Sequence, residues 1–243
     1  MLDKIQSLRN FLKNSAQYQT ESLALSRELE WAHIYHDSIR NKEYLQNLGL
    51  NVGRWAGNYS FFYILNRILS DFQPKRILEL GLGESSKFIS TVLTHSLLDS
   101  QQTIIEQDQN WIYGFSDRFT LSDRSNILFC PLIEVELKGF PSYAYQGFKE
   151  KVSHEFDLFI VDGPFGSDRY SRFDIVSLVE KFDKEKEFII VIDDSHRIGE
   201  QDTINEISLI LKRLGITFHT ADYSGNKQNT VIASEKYKYA TSL

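Results

Sequence analysis

Five carboxylates and a pair of glycines stand where residues of those types could do chemistry together. Ile77-Leu78-Glu79-Leu80-Gly81-Leu82-Gly83-Glu84-Ser85-Ser86 reads as a strand running into a glycine turn and then a helix. Glycine at 81 and 83 lets the backbone approach a ligand closely, while Ser85 and Ser86 can cap the helix and offer hydroxyls to a ligand carboxylate. A dinucleotide fingerprint would place a third glycine at position 86, where Ser86 stands, so a ligand without a pyrophosphate suits the turn better. Glu106 closes the next apolar run, Thr103-Ile104-Ile105-Glu106, and an acid there can accept both hydroxyls of a ribose. Glycine turn plus acid indicates a ribose-bearing ligand. Trp111, shortly after, could cover an adenine face or pack in the core.

A second group lies further on. Leu158-Phe159-Ile160-Val161 ends in Asp162-Gly163-Pro164, and Phe188 to Ile192 ends in Asp193-Asp194-Ser195-His196. In an open α/β sheet the carboxyl ends of the strands around the topological switch form the ligand crevice, so Asp162, Asp193 and Asp194 should converge there. Two carboxylates about 4 Å apart repel by roughly 4 kcal/mol at an effective dielectric near 20. A divalent cation, a raised pKa or divergent side chains must resolve that repulsion. Asp162 or His196 could act as a general base, and Arg169, Arg172 or Arg197 could pair with a substrate carboxylate or stay solvated in their loop. His33 and His36, spaced i, i+3, have no evident third ligand and read as a surface pair.

The elements that must position these residues follow from hydrophobic patterning. Continuous apolar runs at Arg76–Leu80, Thr103–Ile105, Asn126–Cys130, Leu158–Val161 and Phe188–Ile192 alternate with helix-length segments. Continuous rather than alternating hydrophobicity is what strands show when helices cover both faces, so the expected fold class is α/β, a doubly wound, mostly parallel sheet. Ile216–Tyr223 and Thr230–Ser234, around Ser224-Gly225-Asn226-Lys227, read as a closing antiparallel hairpin. Ahead of the sheet, two accessory helices are expected in the first 50 or so residues, then a helix over Tyr59–Ser70. The division is a helical extension over 1–52, serving as lid or dimer surface, and one sheet domain over 53–243.

Composition narrows the function classes. The 243 residues carry 33 acidic against 27 basic side chains, a net charge of −6, which argues against a broad nucleic-acid footprint. One cysteine, Cys130, excludes an internal disulfide and a multi-cysteine zinc site and reads as inert core. No apolar stretch suggests a signal peptide or a membrane span, so a cytoplasmic protein is expected. GxSxG, GKS/GKT and CxxC motifs are absent.

The segments ILELGLGESS and IIEQD, with the strand series and terminal hairpin, resemble the class I S-adenosylmethionine-dependent methyltransferases over about Phe72 to Ser234. That resemblance implies a Rossmann-like seven-stranded sheet, Gly81 and Gly83 lining the methionine part of S-adenosyl-L-methionine with Glu79 nearby, and Glu106 on the ribose. It further implies transfer of a methyl group to an oxygen of a small molecule or saccharide. Catechol-type and macrolide-sugar O-methyltransferases match at Asp162, Asp193 and Asp194, which there hold a metal, usually Mg2+. The VDGPFG turn also resembles polysaccharide methyltransferases that methylate a uronic-acid hydroxyl and need no metal. A nicotinamide-dependent dehydrogenase and a non-catalytic cofactor-binding module are the alternatives.

Overall fold

Helices cover both faces of the central strands, which is why those strands carry no polar side. The computed structural model describes residues 2–152 and 155–243. Two helices lead in: α1 (Leu2–Ser38) and the single turn α2 (Glu43–Gln46). Helix α3 (Tyr59–Phe72) follows, capped by Asn58, whose Oδ1 accepts from Phe61 N at 3.2 Å. The main series is β1 (Arg76–Leu80), α4 (Glu84–His95), β2 (Gln101–Glu106), α5 (Gln109–Ser116), β3 (Ser125–Phe129), β4 (Leu132–Leu137), β5 (Phe140–Tyr145) and α6 (Phe148–Lys151). It continues with β6 (Leu158–Val161), α7 (Asp174–Val179), β7 (Ile189–Ile192), α8 (Ile198–Arg213), β8 (Phe218–Ser224), β9 (Gln228–Ser234) and a 3₁₀ segment, Glu235–Thr241.

Seven strands form one sheet in the order β3-β2-β1-β6-β7-β9-β8, parallel except that β9 runs antiparallel to both β7 and β8. The α/β, Rossmann-like expectation holds, terminal hairpin included. Successive strand residues serve opposite cores. Ile77, Leu158, Ile160, Ile189 and Val191 face α1, α3 and α4, while Leu78, Phe159, Val161, Ile190 and Ile192 face α7 and α8. Helix α3 is apolar nearly all round because it lies inside: Phe61, Phe62, Ile64, Leu65, Ile68 and Leu69 are all fully buried.

Two expectations change. The first 50 residues hold one 37-residue helix and a single turn, not two comparable helices. Their apolar residues fall in two clusters, but no glycine or proline lies between them to stop the helix; the first glycine is Gly49. The tight pair β4–β5 was not anticipated. Its signals are the alternation in Leu132-Ile133-Glu134-Val135-Glu136-Leu137 and the two-residue turn Lys138-Gly139, both residues at positive φ (53° and 84°).

Hydrogen bonds fasten the second half of α1 to the sheet domain. Glu28 Oε1 accepts from Tyr59 N at 2.8 Å, and Oε2 accepts from Asn58 Nδ2 at 2.9 Å and Asn226 N at 3.0 Å. Trp31 Nε1 donates to Ser224 O at 3.1 Å. Gly225 is required by packing at this joint, since a Cβ there would lie 2.1 Å from Glu28 Oε2. Among the described residues no helix is long and apolar enough to cross a membrane.

Candidate active site

The strand order reverses between β1 and β6, so the crevice of this sheet opens at their carboxyl ends. Leu80 pairs with Val161, which sets Gly81 beside Asp162-Gly163. Gly81 sits at φ +101°, a conformation that favours glycine, and a Cβ on Gly163 would lie 2.9 Å from both N and Cα of Gly81. The two turns touch backbone to backbone. Gly83 differs: its φ of −161° suits any residue, and a Cβ there would meet nothing within 4 Å. Its missing side chain is open space above the turn, the form a close-approach cradle takes.

The other cradle residues mostly serve one another. Glu79 is fully buried; its Oε1 accepts from Ser85 Oγ and its Oε2 from Gln102 Nε2 at 2.6 Å. Burial raises its pKa to about 7, against the opposing pull of hydrogen bonds from Ser85, Ser86 and Gln102. Ser86 Oγ accepts from Gly83 N at 3.0 Å. The hydroxyls of Ser85 and Ser86 therefore turn inward, bracing the start of α4 against β1, instead of facing a ligand. Glu79 likewise reaches no open surface.

Glu106 stands at the end of β2 as expected and is 2% exposed. Its Oε2 accepts from Leu82 N at 2.9 Å, and its Oε1 accepts from Gln107 N and Asp108 N, both at 2.8 Å. Burial raises its pKa and these three backbone donors oppose that. A carboxylate has about four acceptor sites, so roughly one remains. Trp111 is 43% exposed and donates from Nε1 to Leu82 O at 2.7 Å, so it belongs to the rim of the glycine turn and not to the core.

Asp162, Asp193 and Asp194 converge, with ligand oxygens all within 4.8 Å of one another. The cations between them were not foreseen. Arg172 Nη2 lies 3.2 Å from Asp162 Oδ1 and 3.3 Å from Asp194 Oδ2, and Nη1 donates to Asp193 O at 2.9 Å. Lys227 Nζ, from the β8–β9 turn, is 3.5 Å from Asp194 Oδ1 and 3.7 Å from Asp193 Oδ2, and donates to Ala56 O at 3.0 Å. Arg197 Nη2 is 3.0 Å from Asp194 Oδ2, and fully buried Glu200 faces Arg172 Nε at 3.6 Å. Four acids thus meet three cations. Burial, then the neighbouring Asp193, push the pKa of Asp162 well above the carboxylate range, and burial raises that of Asp193. Burial and the surplus negative charge thus both oppose ionisation of that pair, while Arg172 and Lys227 favour it.

Tyr170, Arg172 and Asp194 all occupy the left-handed region, at φ 49°, 54° and 57°. Each such residue costs about 1–3 kcal/mol and persists where its surroundings over-determine it. Asp162 keeps 20% side-chain exposure, whereas Asp193 has none. Asp162 is therefore the acid of the three that a substrate can reach. His196 is exposed on the loop before α8, and its only hydrogen bond among the described residues is accepted by its backbone carbonyl. Arg169 pairs with Asp202, its Nη2 donating to Oδ1 at 3.0 Å. His33 and His36 are both exposed, and Cys130 is fully buried.

The three aspartates offer one oxygen each to a divalent cation, but Arg172, Lys227 and Arg197 already pair with them. At about 4 Å and a dielectric near 20, each protein cation would repel a doubly charged ion by roughly 8 kcal/mol, about as much as each ionised carboxylate would attract it. Both oxygens of Asp193 accept no hydrogen bond, but Lys227 already faces them. Lys227 sits in a polar turn with no mark of its role, and Arg172, expected to pair with a substrate carboxylate or stay solvated, is 5% exposed and pairs with the protein's own acids.

No protein-family model matches the chain, and among curated proteins there is no match either. Solved structures do match. A cofactor-bound protein, Rv0187 from MTB, superposes with a TM-score of 0.50 at 12% identity, covering 86% of this chain and 89% of that one. A protein from Klebsiella pneumoniae provisionally named an O-methyltransferase gives 0.49 at 18% identity, covering 90% and 94%. An O-methyltransferase from Bacillus cereus in complex with SAH gives 0.49 at 12%, covering 84% and 91%. Sheet order and the likeness to Rv0187 agree on a Rossmann-like, mostly parallel α/β fold with one antiparallel edge hairpin.

Proposed function

We propose that this protein is an S-adenosylmethionine-dependent methyltransferase acting on a hydroxyl oxygen of a small molecule or saccharide. The observation that carries the reading is the meeting of three features at one sheet edge: the open glycine turn at Gly83, Glu106 at the end of β2, and Asp162 at the end of β6. When bound, S-adenosylmethionine supplies an electrophilic methyl on a sulfonium. Gly81 and Gly83 let the turn's backbone approach the cofactor, and Glu106 directs its remaining acceptor capacity at a ribose hydroxyl. Asp162 takes the proton of the acceptor hydroxyl, and Arg172 steadies the carboxylate in its ionised form. Asp193, wholly buried, acts through Lys227 and Asp194 and not on substrate. Exposed His196 stands as a second proton acceptor on the same loop system.

A cavity of about 400 Å³, lined by neither Asp162 nor the glycine turn, lies between the β4–β5 pair and the loop that precedes Arg172. Phe140 and Tyr143 present rings 38% and 37% exposed there, beside Ser142, Ser167, Asp168 and Arg169. Aromatic faces with a few convergent polar groups suit a sugar-like ring. The dehydrogenase alternative is weakened by the reversed β9, since the dinucleotide sheet is parallel throughout.

Arg172, Lys227 and Arg197 offset most of the charge of the acids, so the reading is of transfer without a metal. Methyl-labelled S-adenosylmethionine offered with hydroxylated acceptors should give label on oxygen at the same rate in chelator as in added magnesium. Loss of transfer in chelator with recovery on magnesium would return the three aspartates to a metal-binding role.

A further inference from the structure

Helix α1 runs on past its own domain. At 1.5 Å per residue its 37 residues span about 55 Å. Among the described residues, its hydrogen bonds to the domain begin only at Glu28. Most helical stability in proteins comes from packing of one face of the helix against something else. The uncovered half carries large apolar side chains in the open: Phe11 is 67% exposed, Tyr18 71%, Leu25 61% and Leu29 65%. At about 100° per residue these four fall within roughly 40° of one meridian. That meridian is set off from Trp31, Tyr35 and Ile39, which bind the helix to its core.

We infer that a second copy of this chain covers the stripe, with the two α1 helices antiparallel about Tyr18. Three features of the chain select that occupant. The middle of the stripe is symmetric, because Phe11 and Leu25 each lie seven residues from Tyr18, while Leu29 falls opposite Ser7. A two-fold contact needs such self-complementarity: Phe11 meets Leu25 of the second copy, and Tyr18 meets its counterpart. Charge sets the direction. Residues 3–13 hold three cations and one acid (Lys4, Arg9, Lys13; Asp3), and residues 21–30, apart from Glu28, which is bound to its own domain, hold two acids and one cation (Glu21, Glu30; Arg27). Antiparallel pairing lays the basic segment along the acidic one, whereas parallel pairing would stack like on like. The stripe also leads into a pocket of about 320 Å³ at the base of α1. His36 shares the meridian and lines that pocket with Tyr35, Ile39 and Tyr59. Burying these faces removes on the order of 1,000 Å², at the lower end for a specific interface, so the dimer should be reversible.

The inference is independent of the methyltransferase reading. Sedimentation equilibrium of the full chain should give a reversible dimer, twice the 28.3 kDa chain mass. The double variant Tyr18→Glu, Leu25→Glu should be monomeric with an unchanged thermal midpoint for the sheet domain. Under mild oxidation Tyr18→Cys should cross-link to itself; Phe11→Cys should not, but should cross-link to Leu25→Cys when the two are mixed. Buried Cys130 does not compete. A wild-type monomer at the highest soluble concentration would overturn the proposal, as would a dimer indifferent to the glutamates. Self-cross-linking of Phe11→Cys as efficient as that of Tyr18→Cys would overturn the antiparallel arrangement.

Discussion

Arg172→Met should lower the unfolding free energy by about 3–5 kcal/mol, the usual cost of removing one partner from a buried ionic cluster. Arg172 is 5% exposed and faces Asp162, Asp194 and Glu200, while Nη1 also caps the carbonyl of Asp193. Methionine preserves most of the volume and bears the same left-handed backbone, so the loss reports the missing guanidinium. The sign of its pH dependence follows. Asp162 and Asp193 already titrate above the ordinary carboxylate range, so their ionisation weakens the fold as pH rises from the unfolded value through the folded one. Without Arg172 each ionised acid costs more, so the deficit should be larger at pH 8 than at pH 5. Urea unfolding at the two pH values measures this. A deficit below about 1 kcal/mol would mean that Lys227 and Arg197 carry the cluster alone.

The other large effect concerns turnover. Asp162→Asn should reduce methyl transfer about 10²–10⁴-fold, the range for losing a positioned general base, with cofactor affinity little changed. Since burial and Asp193 raise the pKa of Asp162, the wild-type rate should climb with pH as Asp162 ionises, and the variant should lose the climb. Single-turnover transfer from labelled S-adenosylmethionine, followed across pH, separates the outcomes. Transfer at the wild-type rate, or a pH profile shared by both proteins, would shift the base role to His196.

Sequence reading reached different depths at different places. β1, β6 and β7 were legible because burial on both faces leaves an unbroken apolar run, and the strand-end acids followed from their position after those runs. The long α1 reads as two helices because its polar middle interrupts the pattern without ending the helix. Glu28, Lys227 and the true partners of Arg172 are hidden for a shared reason. All three are charged residues in a solvent-like context, and their burial depends on partners far along the chain: Asn226 for Glu28, Asp194 for the other two. Ser85 and Ser86 show the converse, since their place beside the turn suggested ligand contact while their hydroxyls satisfy Glu79 and Gly83 N.

Whether the crevice at Gly83 and Glu106 takes S-adenosylmethionine is tested most directly by calorimetric titration with S-adenosylhomocysteine. The wild-type chain should bind one equivalent, and Glu106→Ala should bind at least tenfold more weakly, a loss of about 1.4 kcal/mol or more. No binding at millimolar ligand, or equal affinity in the two proteins, would contradict the assignment of that crevice.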